Sequence, residues 1–134
     1  MGAMADDTVA LILAWHEALN AQHVEDVLAL STPDVRIGGP RGSAAGHDVL
    51  ADWIDHAGIE LTPRVVHQGA RALYVEQDAR WPRNAEADPN EVIAACTVFE
   101  ILDGKVAAIL RHDSLEDALL AMSDAVSSEL WSAD

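Results

Sequence analysis

The sequence is poor in cysteine, with Cys96 the only one among 134 residues. A disulfide within the chain needs two cysteines, and a cysteine-rich zinc site needs several, so both are excluded. No stretch approaches the roughly 18 consecutive apolar residues that span a bilayer, and no basic segment precedes an apolar run at the N-terminus. The sequence therefore predicts neither a membrane span nor a signal peptide, and a cytoplasmic location is the default expectation.

Basic residues are also scarce. Eight Lys and Arg stand against 23 Asp and Glu, which gives a formal net charge of −15. A chain this acidic repels nucleic-acid backbones and anionic membrane surfaces, so we expect neither as a partner. The general explanation for the acidity is solubility.

The length fits one domain, and the hydrophobic half of the residues is enough for a full core. Residues 1–4 have the character of a cloning remnant before a native Met4. We therefore expect a single domain over residues 5–134, without an internal repeat or a linker.

The stretch 91–113 predicts a β-hairpin, because two apolar runs flank the dipeptide Asp103-Gly104. Strand alternation divides the first run between two faces, and both faces are apolar. Such a sheet needs a cover on each side. We expect the chain's own helices on one side and a second copy of the chain on the other, in a homodimer. The outer face would carry Ala94, Cys96, Val98, Ala108 and Leu110.

Helical periodicity and strand alternation predict the remaining elements. A Gly-rich segment, 38–46, predicts a loop. Helices that precede an antiparallel meander indicate an α+β fold, in which a curved sheet wraps around the first and third helices. The predicted helices are 9–21, 23–30, 47–57 and one beginning after Ser114, and the predicted strands are 34–37, 61–68, 72–81 and the two of the hairpin.

The chain resembles the nuclear transport factor two-like superfamily, and in particular its SnoaL-like members. The residues that carry the resemblance are the Trp15-His-Glu-Ala helix, the strand DVRI that enters the Gly-rich loop, and the ending FEILDGKVAAILRHD. The resemblance implies a cone-shaped α+β barrel around a small-molecule pocket. The superfamily includes ketosteroid isomerases, limonene-epoxide hydrolases, polyketide cyclases and non-catalytic binding or assembly domains.

The residues used by the better-understood members are mostly absent. The ketosteroid isomerase tyrosine, base and aspartic acid fall on Trp15, Ile37 and Thr97, so the resemblance does not imply that chemistry. The fourth-strand pair of the limonene-epoxide hydrolases falls on Ala95 and Thr97 and is also missing. Their carboxylate on the last strand falls on Asp113 and is retained.

Asp113 is therefore the candidate catalytic residue, as a general base or acid in a largely apolar pocket. Arg111 lies two residues earlier on the same strand face and is a candidate ligand-binding residue. The alternative for both is a structural ion pair at the mouth of the barrel, or helix-stabilising charge at Asp113. Gln77 and Thr97 are polar positions on the inward face, where they bind either a ligand or their neighbours.

Trp15 and Trp53 are candidate pocket walls, although plain core packing explains them as well. Arg41 in the Gly-rich segment would contact an anionic ligand, but a simple turn into the third helix is the better interpretation. His16-Glu17 begins a zinc motif, H-E-x-x-H, whose second histidine is Asn20, so no metal site is predicted. No cofactor is predicted either. The leading expectation is a small, largely apolar ligand, with lyase, isomerase or hydrolase chemistry through Asp113. The alternative is a non-catalytic binding or scaffold domain.

Overall fold

The computed structural model describes residues 2–39, 42–88 and 90–133, with side chains from residue 7 onward. Helices and one mixed sheet make up the α+β fold that the sequence predicts. In chain order the elements are α1 (Gly2–Asn20), α2 (Val24–Ala29), β1 (Ser31–Gly39), β2 (Gly42–Ala45), α3 (His47–Ala57), β3 (Glu60–Gly69), β4 (Leu73–Arg80), β5 (Ile93–Leu102), β6 (Lys105–His112), α4 (Leu115–Met122) and β7 (Val126–Ser132).

The seven strands form one curved sheet in the order β2-β1-β6-β5-β4-β3-β7. Only the β1–β6 pair is parallel. The edge strands β2 and β7 do not pair with each other, so the cone stays open along one side. Its concave face packs against α1, α2 and α3 around a core that includes Trp15, Leu50 and Phe99.

The β5–β6 hairpin is confirmed, and its turn is the Asp103-Gly104 dipeptide. Both residues have positive φ, 52° and 76°, as the two central positions of a type I′ turn require. Pairing brings Thr97 opposite Arg111 and Val98 opposite Leu110. The hairpin thus fixes which side chains share the concave face.

The boundaries of α3 agree with the prediction, His47 to Ala57. Gly58 ends the helix in the left-handed conformation with φ 59°, which glycine adopts without steric cost. At α4 the hydroxyl of Ser114 accepts a hydrogen bond from the backbone N–H of Asp117 at 3.1 Å, as the capping pattern predicts.

The Gly-rich segment is not a plain loop, contrary to the expectation for 38–46. Strand β1 continues to Gly39, and β2 pairs with it antiparallel, Gly38 opposite Ser43. A Cβ on Gly38 would collide with the carbonyl oxygen of Gly42, and a Cβ on Gly39 would lie 2.6 Å from the carbonyl oxygen of Arg111. Glycine here permits two backbones to approach closely, rather than a free loop.

Strand β7 was not predicted from the sequence. Helix α4 ends at Met122, Ser123 adopts φ 51°, and Val126 begins a strand. The chain instead returns antiparallel to β3, with Trp131 opposite Val66. The residues of β7 are mainly exposed, which explains why their sequence lacks a clear alternation.

Helix α4 covers the part of the convex face around Val98, so the expectation that this face is open for a homodimer finds no support. It packs against β4, β5 and β6, and Cys96, Val98 and Ala108 are fully buried within one chain. Ala94 is exposed and Leu110 is half-buried. The apolar face that was expected to form a homodimer is therefore already covered, and no dimer through Val98 is proposed.

Candidate ligand-binding site

A cavity of about 760 Å³ lies between α3 and the concave face of the sheet. Strand β1 supplies one wall and α3 another, while β6 contributes Ile109 and Arg111, two alternate residues that share a face because successive side chains point to opposite faces. Most of the described lining is apolar, and its polar side chains come from β5, from β6 and from Asp113, which follows β6. The lining residues are Ile37, Gly38, Gly39, Val49, Trp53, Leu61, Thr97, Ile109, Arg111 and Asp113.

Four of the predicted site residues meet at this cavity: Trp53, Thr97, Arg111 and Asp113. Trp53 is a half-buried residue of α3 on the helix side of the cavity. Thr97 is fully buried, whereas Arg111 and Asp113 are exposed. The charged groups are therefore the ones in contact with solvent.

Arg111 lies over an aromatic ring. The central carbon of its guanidinium is 5.7 Å from the ring centre of Trp81, within the range of a cation–π contact. Trp81 follows the last residue of β4, and the sequence did not identify it as a site residue. The ring restricts the orientations of the guanidinium without neutralising its charge.

Asp113 follows the last residue of β6 and precedes the N-cap residue of α4. Ion pairs within the described part of the chain include neither Asp113 nor Arg111. The alternative of a structural ion pair between these two residues thus finds no support there. Asp113 also borders a smaller depression of about 240 Å³.

Gln77 is not among the residues that line the main cavity. Its side-chain amide is hydrogen-bonded to its neighbours. Its Nε2 donates to Nε2 of His16 at 2.8 Å, and its Oε1 accepts from the hydroxyl of Thr97 at 2.7 Å. His16 completes the chain through Nδ1, which is 2.7 Å from the backbone carbonyl of Ile12. We call these three side chains, His16, Gln77 and Thr97, the buried polar chain.

Each hydrogen in the buried polar chain has one consistent position. The carbonyl of Ile12 can only accept, so Nδ1 of His16 carries the proton and Nε2 accepts from Gln77. Burial lowers the pKa of His16 from 6.5 to about 4, although the bond to Ile12 opposes the shift. His16 is therefore neutral at pH 7. Because Thr97 donates its hydroxyl hydrogen to Gln77, its oxygen has only lone pairs left for any other partner.

Trp15 lies in the core and is not among the residues that line the cavity. It is fully buried, its ring packs edge-on against Phe99 with centres 5.2 Å apart, and its Nε1–H donates to the hydroxyl of Ser31 at 3.2 Å. Core packing, the alternative interpretation of Trp15, accounts for these contacts. Arg41 lies outside the described residues.

No part of the chain described here brings together three or more metal-ligating side chains. His16, which begins the incomplete zinc motif, uses both ring nitrogens in hydrogen bonds. His112, opposite Cys96 at the end of β6, is buried. Burial raises the pKa of Cys96 to about 12, so its thiol is not a nucleophile at neutral pH.

The model of the SnoaL-like domain family matches residues 12–109. The chain belongs to the SnoaL-like family. No functionally curated protein matches the sequence significantly. Within this SnoaL-like chain, no described helix is both long and apolar enough to cross a membrane.

Solved structures share the fold at low sequence identity. Bal32a, from a soil-derived mobile gene cassette, has a TM-score of 0.69 at 15% identity, and the match covers 81% of this chain and 89% of Bal32a. An NTF2-like protein of unknown function from Burkholderia pseudomallei has a TM-score of 0.69 at 19% identity, with coverages of 85% and 95%. TerC, co-crystallised with polyporic acid, has a TM-score of 0.69 at 16% identity, with coverages of 87% and 98%.

Proposed function

We propose that this SnoaL-like protein binds a small, mainly apolar molecule in the cavity between α3 and the sheet. The cavity carries the proposal: its volume of about 760 Å³ lies within the roughly 300–1,000 Å³ of small-molecule sites. Ile37, Val49, Leu61 and Ile109 supply apolar wall, and Trp53 adds an aromatic surface. TerC, which shares the fold, was co-crystallised with a small organic molecule, polyporic acid.

The few polar groups would orient the ligand. Thr97 can only accept a hydrogen bond, Arg111 can only donate, and Asp113 accepts when ionised. Thr97 and Arg111 lie opposite each other on neighbouring strands and Asp113 follows β6, so a ligand bound to one of them comes within reach of the others. A mainly apolar wall with a small number of polar side chains is typical of sites for small organic ligands.

The test is binding of N-phenyl-1-naphthylamine, a neutral apolar fluorophore. We expect its fluorescence to rise on binding and the melting temperature of the protein to increase by mass action. Val49→Phe should weaken binding, because the larger side chain takes up part of the cavity. Val92→Phe, at an exposed position outside the cavity, is the matched control. Equal binding by both variants would show that the fluorophore binds elsewhere.

A second candidate function is catalysis, in which Asp113 transfers a proton in a lyase, isomerase or hydrolase reaction. Two observations favour it: the carboxylate lines the cavity, and it has no ion-pair partner within the described residues. A carboxylate free of such a partner remains available to a substrate or a water molecule. The alternative is a binding or scaffold domain without turnover. A screen for turnover of epoxides and cyclic ketones would distinguish an enzyme from such a domain. The cytoplasmic location stays a prediction.

A further inference from the structure

Among the described residues that line the cavity, Arg111 is the one with a basic side chain. Two other arginines of the sheet have carboxylate partners: Arg36 is 2.8 Å from Glu100 and Arg64 is 3.2 Å from Asp78. Arg111 has no carboxylate partner among the described residues, in a chain with 23 acidic residues. Its positive charge is thus available at the cavity.

The contact with Trp81 leaves the donors of Arg111 accessible. With 5.7 Å between the guanidinium carbon and the ring centre, the contact is one of charge with ring and needs no hydrogen bond from the N–H groups. Its N–H groups point outward in that plane, in a fork that matches the two oxygens of a carboxylate or sulfonate. Because the ring already restricts the guanidinium, less rotamer entropy is lost when an anion binds.

The neighbouring groups indicate where an anion would bind. Thr97 lies opposite Arg111 and presents only lone pairs, since its hydrogen is donated to Gln77. Asp113 lies two residues along the same face, roughly 6–7 Å away, and repels a second negative charge. An anionic group therefore finds hydrogen-bond donors at Arg111 and none at Thr97 or an ionised Asp113. On the same face Ile109 leads from Arg111 into the apolar part of the cavity.

We propose that Arg111 is the anion-recognition residue of this cavity. The ligand class is then an amphipathic molecule with an apolar body and one negatively charged oxygen group, such as a carboxylate or sulfonate. The body occupies the space beside Ile109, Val49 and Trp53, and the charge lies on Arg111. This inference rests on the proposed function, because it requires that the cavity binds a ligand.

Two fluorophores with the same apolar body test the inference. 8-Anilinonaphthalene-1-sulfonate is N-phenyl-1-naphthylamine with an added sulfonate. The ratio of their dissociation constants therefore measures the contribution of the sulfonate to binding. We expect Arg111→Gln to weaken sulfonate binding about tenfold relative to binding of the neutral probe, as for loss of one charge-assisted hydrogen-bond pair. Arg36→Gln removes the same charge on an arginine that does not line the cavity and should leave the ratio unchanged.

The outcomes separate the two proposals. If the neutral probe binds the wild type and Arg111→Gln leaves the ratio unchanged, the anion site is refuted and the apolar cavity stands. Equal losses of sulfonate affinity in Arg111→Gln and Arg36→Gln would also refute the anion site. Such losses would show that the sulfonate responds only to the overall charge of the protein. If neither probe binds the wild type, the proposed function fails and the anion site fails with it. Arg111→Lys, which keeps the charge but not the fork, should recover part of the lost sulfonate affinity.

Discussion

The side-chain amide of Gln77 donates a hydrogen bond of 2.8 Å to Nε2 of His16, although the two residues are 61 positions apart in the chain. The bond joins the first helix to the middle of the sheet, and Thr97 extends it to the wall of the cavity. All three side chains are buried. The buried polar chain thus couples the protonation of His16 to the stability of the core.

We predict that the protein loses stability between about pH 6.5 and pH 4. The pKa of His16 is about 4 in the folded state and 6.5 in the unfolded chain, so the unfolded state binds more protons in this window. The contribution of His16 to the free energy of unfolding is fully present above pH 6.5. It falls as the pH drops toward 4, by about 3 kcal/mol. Urea unfolding at several pH values measures this slope.

Substitution of His16 isolates its share of that slope. His16→Gln should flatten the change in unfolding free energy between pH 4 and 6.5, whatever its effect at pH 7. His56→Gln removes an exposed histidine, whose Nδ1 is 2.8 Å from the carbonyl of Asp52, and should keep the slope. A slope that persists in His16→Gln would mean that His16 titrates normally and is not held neutral by the fold.

Thr97→Val tests the other end of the buried polar chain. Valine has nearly the shape of threonine but cannot donate to Oε1 of Gln77, which would then be buried without a partner. We expect a loss of about 1–3 kcal/mol in the free energy of unfolding. Thr62→Val, at an exposed position of β3, should cost much less. Equal effects in the two variants would contradict the hydrogen bond between Thr97 and Gln77.

Val98→Asp should unfold the protein rather than dissociate a dimer. Val98 is fully buried beneath α4, and an unpaired carboxylate there costs more than about 4 kcal/mol. Ala94→Asp lies on the same strand face at an exposed position and should change the melting temperature little. The measurements are thermal unfolding and light scattering. A stable, monomeric Val98→Asp variant of a dimeric wild type would show that α4 does not cover this face.

The elements with a strong local pattern were predictable from the sequence. The Asp103-Gly104 turn, the limits of α3 and the Ser114 cap depend on neighbouring residues, so the sequence shows them directly. Strand β7 and the β1–β2 hairpin depend on pairing with distant strands. Their exposed, Gly-rich or Ser-rich residues give no alternation, so local patterns could not identify them.

The candidate site was predictable where strand alternation determines the face. Thr97, Arg111 and Asp113 lie on the concave side as the alternation and the family resemblance indicate. Alternation cannot show depth, so Trp15 and Gln77, predicted as pocket residues, instead have partners within the core. Trp81 was not identified, because its contact with Arg111 joins the ends of two strands that are not neighbours in the sheet.

Asp113→Asn tests the proposed chemistry once a substrate is identified. Asparagine keeps the shape but cannot accept a proton, so the rate should fall by roughly 10²–10⁴ while ligand affinity changes little. Asp117→Asn, at an exposed position near the start of α4 and outside the cavity lining, is the matched control. Full activity in Asp113→Asn would exclude the proton-transfer role, and lower stability without a change in rate would indicate a structural one.

The central claim is that the cavity between α3 and the sheet is the ligand site, and amide chemical shifts locate the ligand directly. In a ¹H–¹⁵N spectrum titrated with N-phenyl-1-naphthylamine, we expect the largest changes at Gly38, Gly39 and Trp53 and along β6 around Arg111. Changes confined to the surface groove at residues 22–26, or no saturable change at all, would contradict the claim.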